Sequence, residues 1–208
     1  MHIKEFSLKP LCFAALLCAA AAAQAGITVY TSQAAFLAAV HAPGVDTFDD
    51  LVGPIPGPDF LHRTAGGYTY DVYSFAGLFG ADGGPTDGWL SNNFNTSPIV
   101  FSNFSGGVRA FGGHFFTIDS MGGYTLGDIV LTGIDGGVLT YNLNGAATTD
   151  FLGFVSSTPL AAITLTPGAD PGWYAAANNV VLAVPEPAAY GMLLAGLGLV
   201  GAMTRRPS

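Results

Sequence analysis

The chain has 208 residues, half of them hydrophobic and only 10% charged, with a formal net charge of −8. Residues 26–183 hold twelve Asp, no Glu, no Lys and two Arg, Arg63 and Arg109. So acidic a stretch lacks the basic surface that phosphate contacts need, which argues against nucleic acid or anionic lipid as a partner.

From the N-terminus, residues 1–25 read as a secretory signal peptide, to be removed by signal peptidase. Lys4 and Lys9 supply the positive start, Leu11 to Ala23 the apolar stretch, and Ala23-Gln24-Ala25 the small-x-small cleavage site. Cleavage there makes Gly26 the new N-terminus. Both cysteines, Cys12 and Cys18, fall inside this segment. The exported chain is then expected to hold itself together by core burial without disulfides.

Residues 26–183 are expected to form one domain. Ile27 to Tyr30 reads as a strand, and Thr31 or Ser32 can cap a helix over Gln33–Val40, ended by Pro43-Gly44. Val45 to Phe48 returns to strand. Gly53 to Asp59, with three prolines and two glycines, reads as a loop. The remaining pattern is all-β. Strands are expected over 68–75, 98–104, 108–118, 124–132, 138–143, 151–155, 161–166 and 173–183, each rich in β-branched and aromatic residues. Short strands broken by Gly, Asn, Asp and Pro point to a β-sandwich or jelly-roll-like fold with one short N-terminal helix. Gly112-Gly113, inside a strong strand, predicts either a bulge or tight sheet packing over Phe111, Phe115 and Phe116.

Few residues select a chemistry. There is no Gly-x-Ser-x-Gly and no His-Glu-x-x-His, and the domain offers only Asp for an acid–base pair. His41, His62 and His114 are scattered, with His114 expected as a packed strand residue. Asp82 and Asp87 flank a Gly-rich stretch that reads first as a loop and second as a source of metal ligands. Trp89 and Trp173, with Tyr68, Tyr70, Tyr73 and Tyr174, have the apolar bodies and polar tips that suit sugar faces. For Trp89 a place in the core is an equal alternative.

Residues 184–208 stand apart. Val184-Pro185-Glu186-Pro187 is expected to be extended and accessible, because proline fixes its own φ and restrains the residue before it. An uncharged segment follows over about 188–204, long enough as a helix for roughly 25 Å, the short limit for spanning a bilayer core. Arg205-Arg206 closes it with a cytoplasmic stop. A permanent membrane anchor is the alternative to a processed one.

This order of Pro-Glu-Pro, apolar helix and double arginine resembles the PEP-CTERM sorting signal of Gram-negative bacteria. The resemblance implies recognition by an exosortase-like transpeptidase, an inner-membrane intermediate, and a destination at the cell surface or in an exopolysaccharide matrix. Thr47-Phe48-Asp49-Asp50-Leu51, Phe111-Gly112-Gly113-His114-Phe115, Phe151 to Ser156 and Trp173 to Leu182 are similar to segments of other proteins with that tail. Asn178-Asn179 departs from the Asp-Asn usual there. Resemblance to carbohydrate-binding jelly rolls further implies a calcium site made by Asp49 or Asp50 with Asn178, or else plain turn and edge residues at those positions. The combined expectation is a non-enzymatic structural or glycan-binding role in exopolysaccharide or biofilm. A secreted polysaccharide hydrolase is the rival.

Overall fold

The computed structural model describes residues 26–57, 60–82, 87–135, 138–168 and 172–186. The signal-peptide segment with Ala23 and Ala25, and the tail from Pro187 through Arg205 and Arg206, lie outside the described residues. Among the described residues no helix is long and apolar enough to cross a membrane.

The described chain is mostly β. It runs β1 (Ile27–Tyr30), α1 (Gln33–Ala38), β2 (Val40–Asp46), β3 (Gly53–Ile55), β4 (Leu61–Ala65), β5 (Tyr68–Tyr73), β6 (Leu78–Asp82), β7 (Gly88–Asn92) and β8 (Ile99–Ser102). It continues with β9 (Ala110–Ile118), β10 (Tyr124–Thr125), β11 (Gly127–Ile134), β12 (Val138–Gly145), β13 (Phe151–Ser156), β14 (Ala162–Pro167) and β15 (Tyr174–Pro185). Nine strands make one sheet in the order β1-β13-β9-β15-β7-β6-β3, with β10 added to β9 and β2 to β15. Six make the other, in the order β12-β11-β14-β8-β5-β4.

The two sheets face each other across one apolar core. Period-2 patterning explains which side chains enter it. In β11, Ile129 and Leu131 are buried while Val130 and Thr132 are less so. In β14, Ile163 and Leu165 point the same way. They meet Phe111, Phe115, Leu152, Phe154, Val180 and Leu182 of the larger sheet, and Phe101 of β8 lies 5.1 Å from Phe111 between ring centroids. This is the sandwich that the strand pattern predicts.

The larger sheet is also covered on its outer face, so β9 and β15 are buried on both sides and read as nearly continuous apolar runs. At one end α1 lies on the sheet. Ser32 caps it through its hydroxyl, which accepts from the Ala35 amide at 3.4 Å. Its Phe36 sits over Gly112 and Gly153, a directly opposed glycine pair on β9 and β13. A Cβ on Gly153 would stand 2.4 Å from the Phe36 ring. The glycine pair is therefore the seat of the helix. A bulge is present as well, but on β15: register slips between Asn178 and Val181 opposite β9, and Asn179 takes a left-handed φ of 50°.

Several boundaries differ from expectation. The helix ends at Ala38, because Val40 is needed in the cluster with Phe36 and Val181, and Pro43-Gly44 falls within β2 rather than beyond a helix end. Gly53–Ile55 pairs as a strand inside the expected loop. Strands β4, β6 and β7 were not expected. Their polar or glycine-rich sequences carry no alternating apolar signal, and pairing with β5 and with each other makes them strands. The last strand runs through Val184 to Pro185.

Candidate functional site

The expectation sets Asp49 or Asp50 beside Asn178, and the fold gives the two aspartates different partners. Asp50 gives both carboxylate oxygens to Arg63, at 2.6 and 2.7 Å. The same guanidinium forks onto Asp46 at 2.6 and 2.9 Å, and the Tyr70 hydroxyl donates to Asp46 at 2.7 Å. Asp46 is 4% exposed and Arg63 also lies over the Phe48 ring. The Arg63 hydrogen bonds hold the Asp50 carboxyl below the usual range. Burial alone would lower the Arg63 guanidinium, but Asp50 and Asp46 more than reverse that and raise it. Burial, reinforced by Asp46, pushes the Tyr70 hydroxyl well above the usual phenol range. These groups join the turn after β2 to β4 and β5.

Asp49 instead accepts from the Gly88 amide at 2.9 Å, while Asn178 donates to Asp87 at 3.0 Å. The two expected ligands thus converge on the Asp87-Gly88 dipeptide rather than on each other. Asp50, committed to Arg63, does not fit a calcium site with Asn178. Among the described residues no three acidic, histidine or cysteine groups are placed to hold a metal. Residues 83–86 between Asp82 and Asp87 lie outside them.

Trp89 is 6% exposed and meets Phe116 edge-on at 5.2 Å on the outer face of the larger sheet. It stands in the core position, with no ring face offered to a sugar. Trp173 is half-buried beside Gly127.

A different polar group stands on the outer face of the six-stranded sheet. Period-2 alternation on β5 buries Tyr70 and Val72 and turns Asp71 and Tyr73 outward. Asp71 accepts from Asn103 at 2.7 Å and contacts His62 Nδ1 at 2.5 Å. The Asn103 amide, then His62, holds its carboxyl below the ordinary range, so it is a fixed anion. Asn103 takes a left-handed φ of 53° as it leaves β8. Beside this group the Phe60 and Tyr73 rings pack 5.2 Å apart, with Phe60 51% exposed. Sequence reasoning named Tyr73, and His62 only as a scattered histidine, and missed Asp71, Asn103 and Phe60. The signal was the spacing of Asp71 and Tyr73 on one strand face; the partners come from other strands.

No Ser-His-Asp relay forms here. His62 and Ser102 stand opposite Asp71 on its two flanking strands, so they are two strand spacings apart, about 10 Å. A nucleophile and its base need contact near 3 Å. His114 packs edge-on against Phe151, and burial lowers its pKa, opposed in part by Asp150 and Asp87. A cavity of about 110 Å³ near Asn93, Asp119 and Tyr174 is below the few hundred Å³ usual for small-molecule sites.

At the far end of β15, Val184 pairs with His41 and Pro185 with Val40. Both are half-buried strand residues, so the start of the motif is paired rather than free; Pro187 lies outside the described residues. Neither a curated protein nor a solved structure matches the chain. A family model does match, the PEP-CTERM protein-sorting motif, over residues 183–206. The chain therefore carries a PEP-CTERM sorting motif and is an exported protein, sorted to the cell surface through a membrane intermediate by an exosortase-type enzyme.

Proposed function

We propose that the exported domain is a non-enzymatic, glycan-binding component of the exopolysaccharide matrix, and that it binds through the outer face of the six-stranded sheet. The observation that carries this reading is the juxtaposition of a fixed carboxylate, Asp71 held by His62 and Asn103, with the exposed Phe60–Tyr73 ring pair. Carboxylates and amides hydrogen-bond sugar hydroxyls, and aromatic rings cover the apolar faces of the sugar. An open sheet face suits a polymer better than a free monosaccharide. Calcium plays no part in this reading.

The test is binding of the purified protein to exopolysaccharide from the producing organism, against unrelated polysaccharides. Selective, saturable binding is expected. Tyr73→Ala or Asp71→Ala should weaken it tenfold or more while the melting temperature of the Tyr73 variant moves by only a few degrees. Wild-type strength in both variants sinks the site, and no binding to any polymer leaves a structural role in its place. Release of sugar fragments would replace binding with hydrolysis.

A further inference from the structure

We propose that the folded domain controls access to its own sorting motif. The motif's first residues are held as a strand against β2, and the processing enzyme engages them only when that contact opens. This rests on the motif being processed, and the test below separates the two.

Four observations place the motif inside the fold. Val184 and Pro185 are the last residues of β15 and pair with His41 and Val40. The Glu186 amide donates to the Ala39 carbonyl at 3.1 Å, and the Glu186 carboxylate lies 3.8 Å from His41. Val40 is buried in one cluster with Phe36, Ala110 and Val181, so the covering strand is pinned by α1 and the glycine seat beneath it. Register slips between Leu182 and Val184, yet pairing with β2 resumes at Val184 and continues to the strand end.

The opposite edge of the same segment is open. β9 ends its pairing at Ala183, where the Arg109 amide donates to the Ala183 carbonyl at 3.1 Å. Beyond it Val184, Pro185 and Glu186 border a cleft of about 880 Å³ shared with Gly26, Gly107 and Arg109. The motif is therefore covered on one edge only. An enzyme that takes an extended peptide into its cleft needs that peptide free of a sheet partner, which in a folded protein requires local opening. The cover is built to open locally. Pro185 has no amide hydrogen, so the held segment has few donors, and the exposed His41–Glu186 contact adds little. Access is thus set by how often β2 leaves the end of β15.

The experiment uses the full chain expressed in the producing organism. His41→Cys with Val184→Cys places two cysteines on directly paired residues, at a spacing a disulfide accepts. They would be the only two thiols in residues 26–208. Loss of the Arg205-Arg206 end is followed by mass spectrometry. The cross-linked form should lose its tail at least tenfold more slowly than wild type, and reductant should restore the rate. Processing of the cross-linked form at the wild-type rate overturns the proposal. Hydrogen exchange of the full chain gives an independent reading. The Glu186 amide should exchange at least tenfold more slowly than in a free peptide, and Val40→Ala should speed both its exchange and tail removal. A Glu186 amide as fast as in the peptide also overturns it. A wild-type chain that retains Arg205-Arg206 indefinitely refutes the processing itself, and this proposal with it.

Discussion

Arg63 ties the turn after β2 to β4, and removing it should show. Arg63→Met keeps much of the aliphatic stem but deletes four charge-assisted hydrogen bonds, two to Asp46 and two to Asp50. The two halves are unequal. Asp50 is 65% exposed, and water can replace its partner, so that half contributes at most about 1 kcal/mol. Asp46 is almost fully buried and would keep only the Tyr70 hydroxyl and the Phe48 amide as donors. Breaking a buried pair by removing one partner costs about 3–5 kcal/mol, because a charge is left without its counterion. The sum is a loss of roughly 3–6 kcal/mol, or a fall in Tm on the order of 6–24 °C for a domain of this size. Urea denaturation followed by the fluorescence of buried Trp89 measures it. Asp50→Asn should cost under about 1 kcal/mol in the same assay. The reasoning is refuted if Arg63→Met costs less than about 1 kcal/mol, or if Asp50→Asn costs as much as Arg63→Met.

Two further outcomes follow from packing and titration. Gly153→Ala forces a methyl to within 2.4 Å of the Phe36 ring and should cost about 1–3 kcal/mol by overpacking; Phe36→Leu should recover part of that loss in a double-mutant cycle, and strict additivity would show the seat is not shared. Stability should fall as pH drops below about 6.5, where the unfolded chain takes up a proton that half-buried His114 resists. His114→Gln should flatten that slope, and an unchanged profile would discount His114. The lowered carboxyls of Asp50 and Asp71 stabilise the fold above the ordinary carboxylate range, so a second, steeper loss is expected below about pH 4.

Fold class was legible because strands buried on one face must alternate. β11 and β14 do so; the limits of β14 came within one residue of expectation, while the expected 124–132 strand divides into β10 and β11. The strands that escaped notice, β4, β6 and β7, are held by partners rather than by their own pattern. His62 and Arg63 on β4 look like loop residues until β5 supplies the ladder and Asp46 the counterion. Gly112 and Gly153 show the same limit. A glycine in a strand signals a close approach, but which ring approaches is set by a helix far away in sequence. For the candidate site, Asp71 and Tyr73 were readable as neighbours on one face, whereas Phe60 and Asn103 arrive from β4's entrance and β8's exit. The tail was the most legible part, since its three components are contiguous and need no tertiary contact to be recognised.

Placement of the sorting motif and of the candidate face follows from the sandwich itself. The sorting motif leaves from the end of β15, a strand of the larger sheet, so the membrane intermediate is tethered at a strand end. Asp71 and Tyr73 lie on the outer face of the other sheet, and side chains on a face stand perpendicular to the strands. The network at Asp46, Arg63 and Tyr70 then has a second consequence. It ties the turn after β2 to β4 and β5, the strands that carry the candidate face, while β2 itself covers the motif. Loosening β2 at its Asp46 end should therefore disturb the binding face, whereas loosening it at its Val40 end should expose the motif. The Asp46 end is held by buried charge pairs and the Val40 end by apolar packing, and under the access proposal the Val40 end, beside the tail, is the one that has to open.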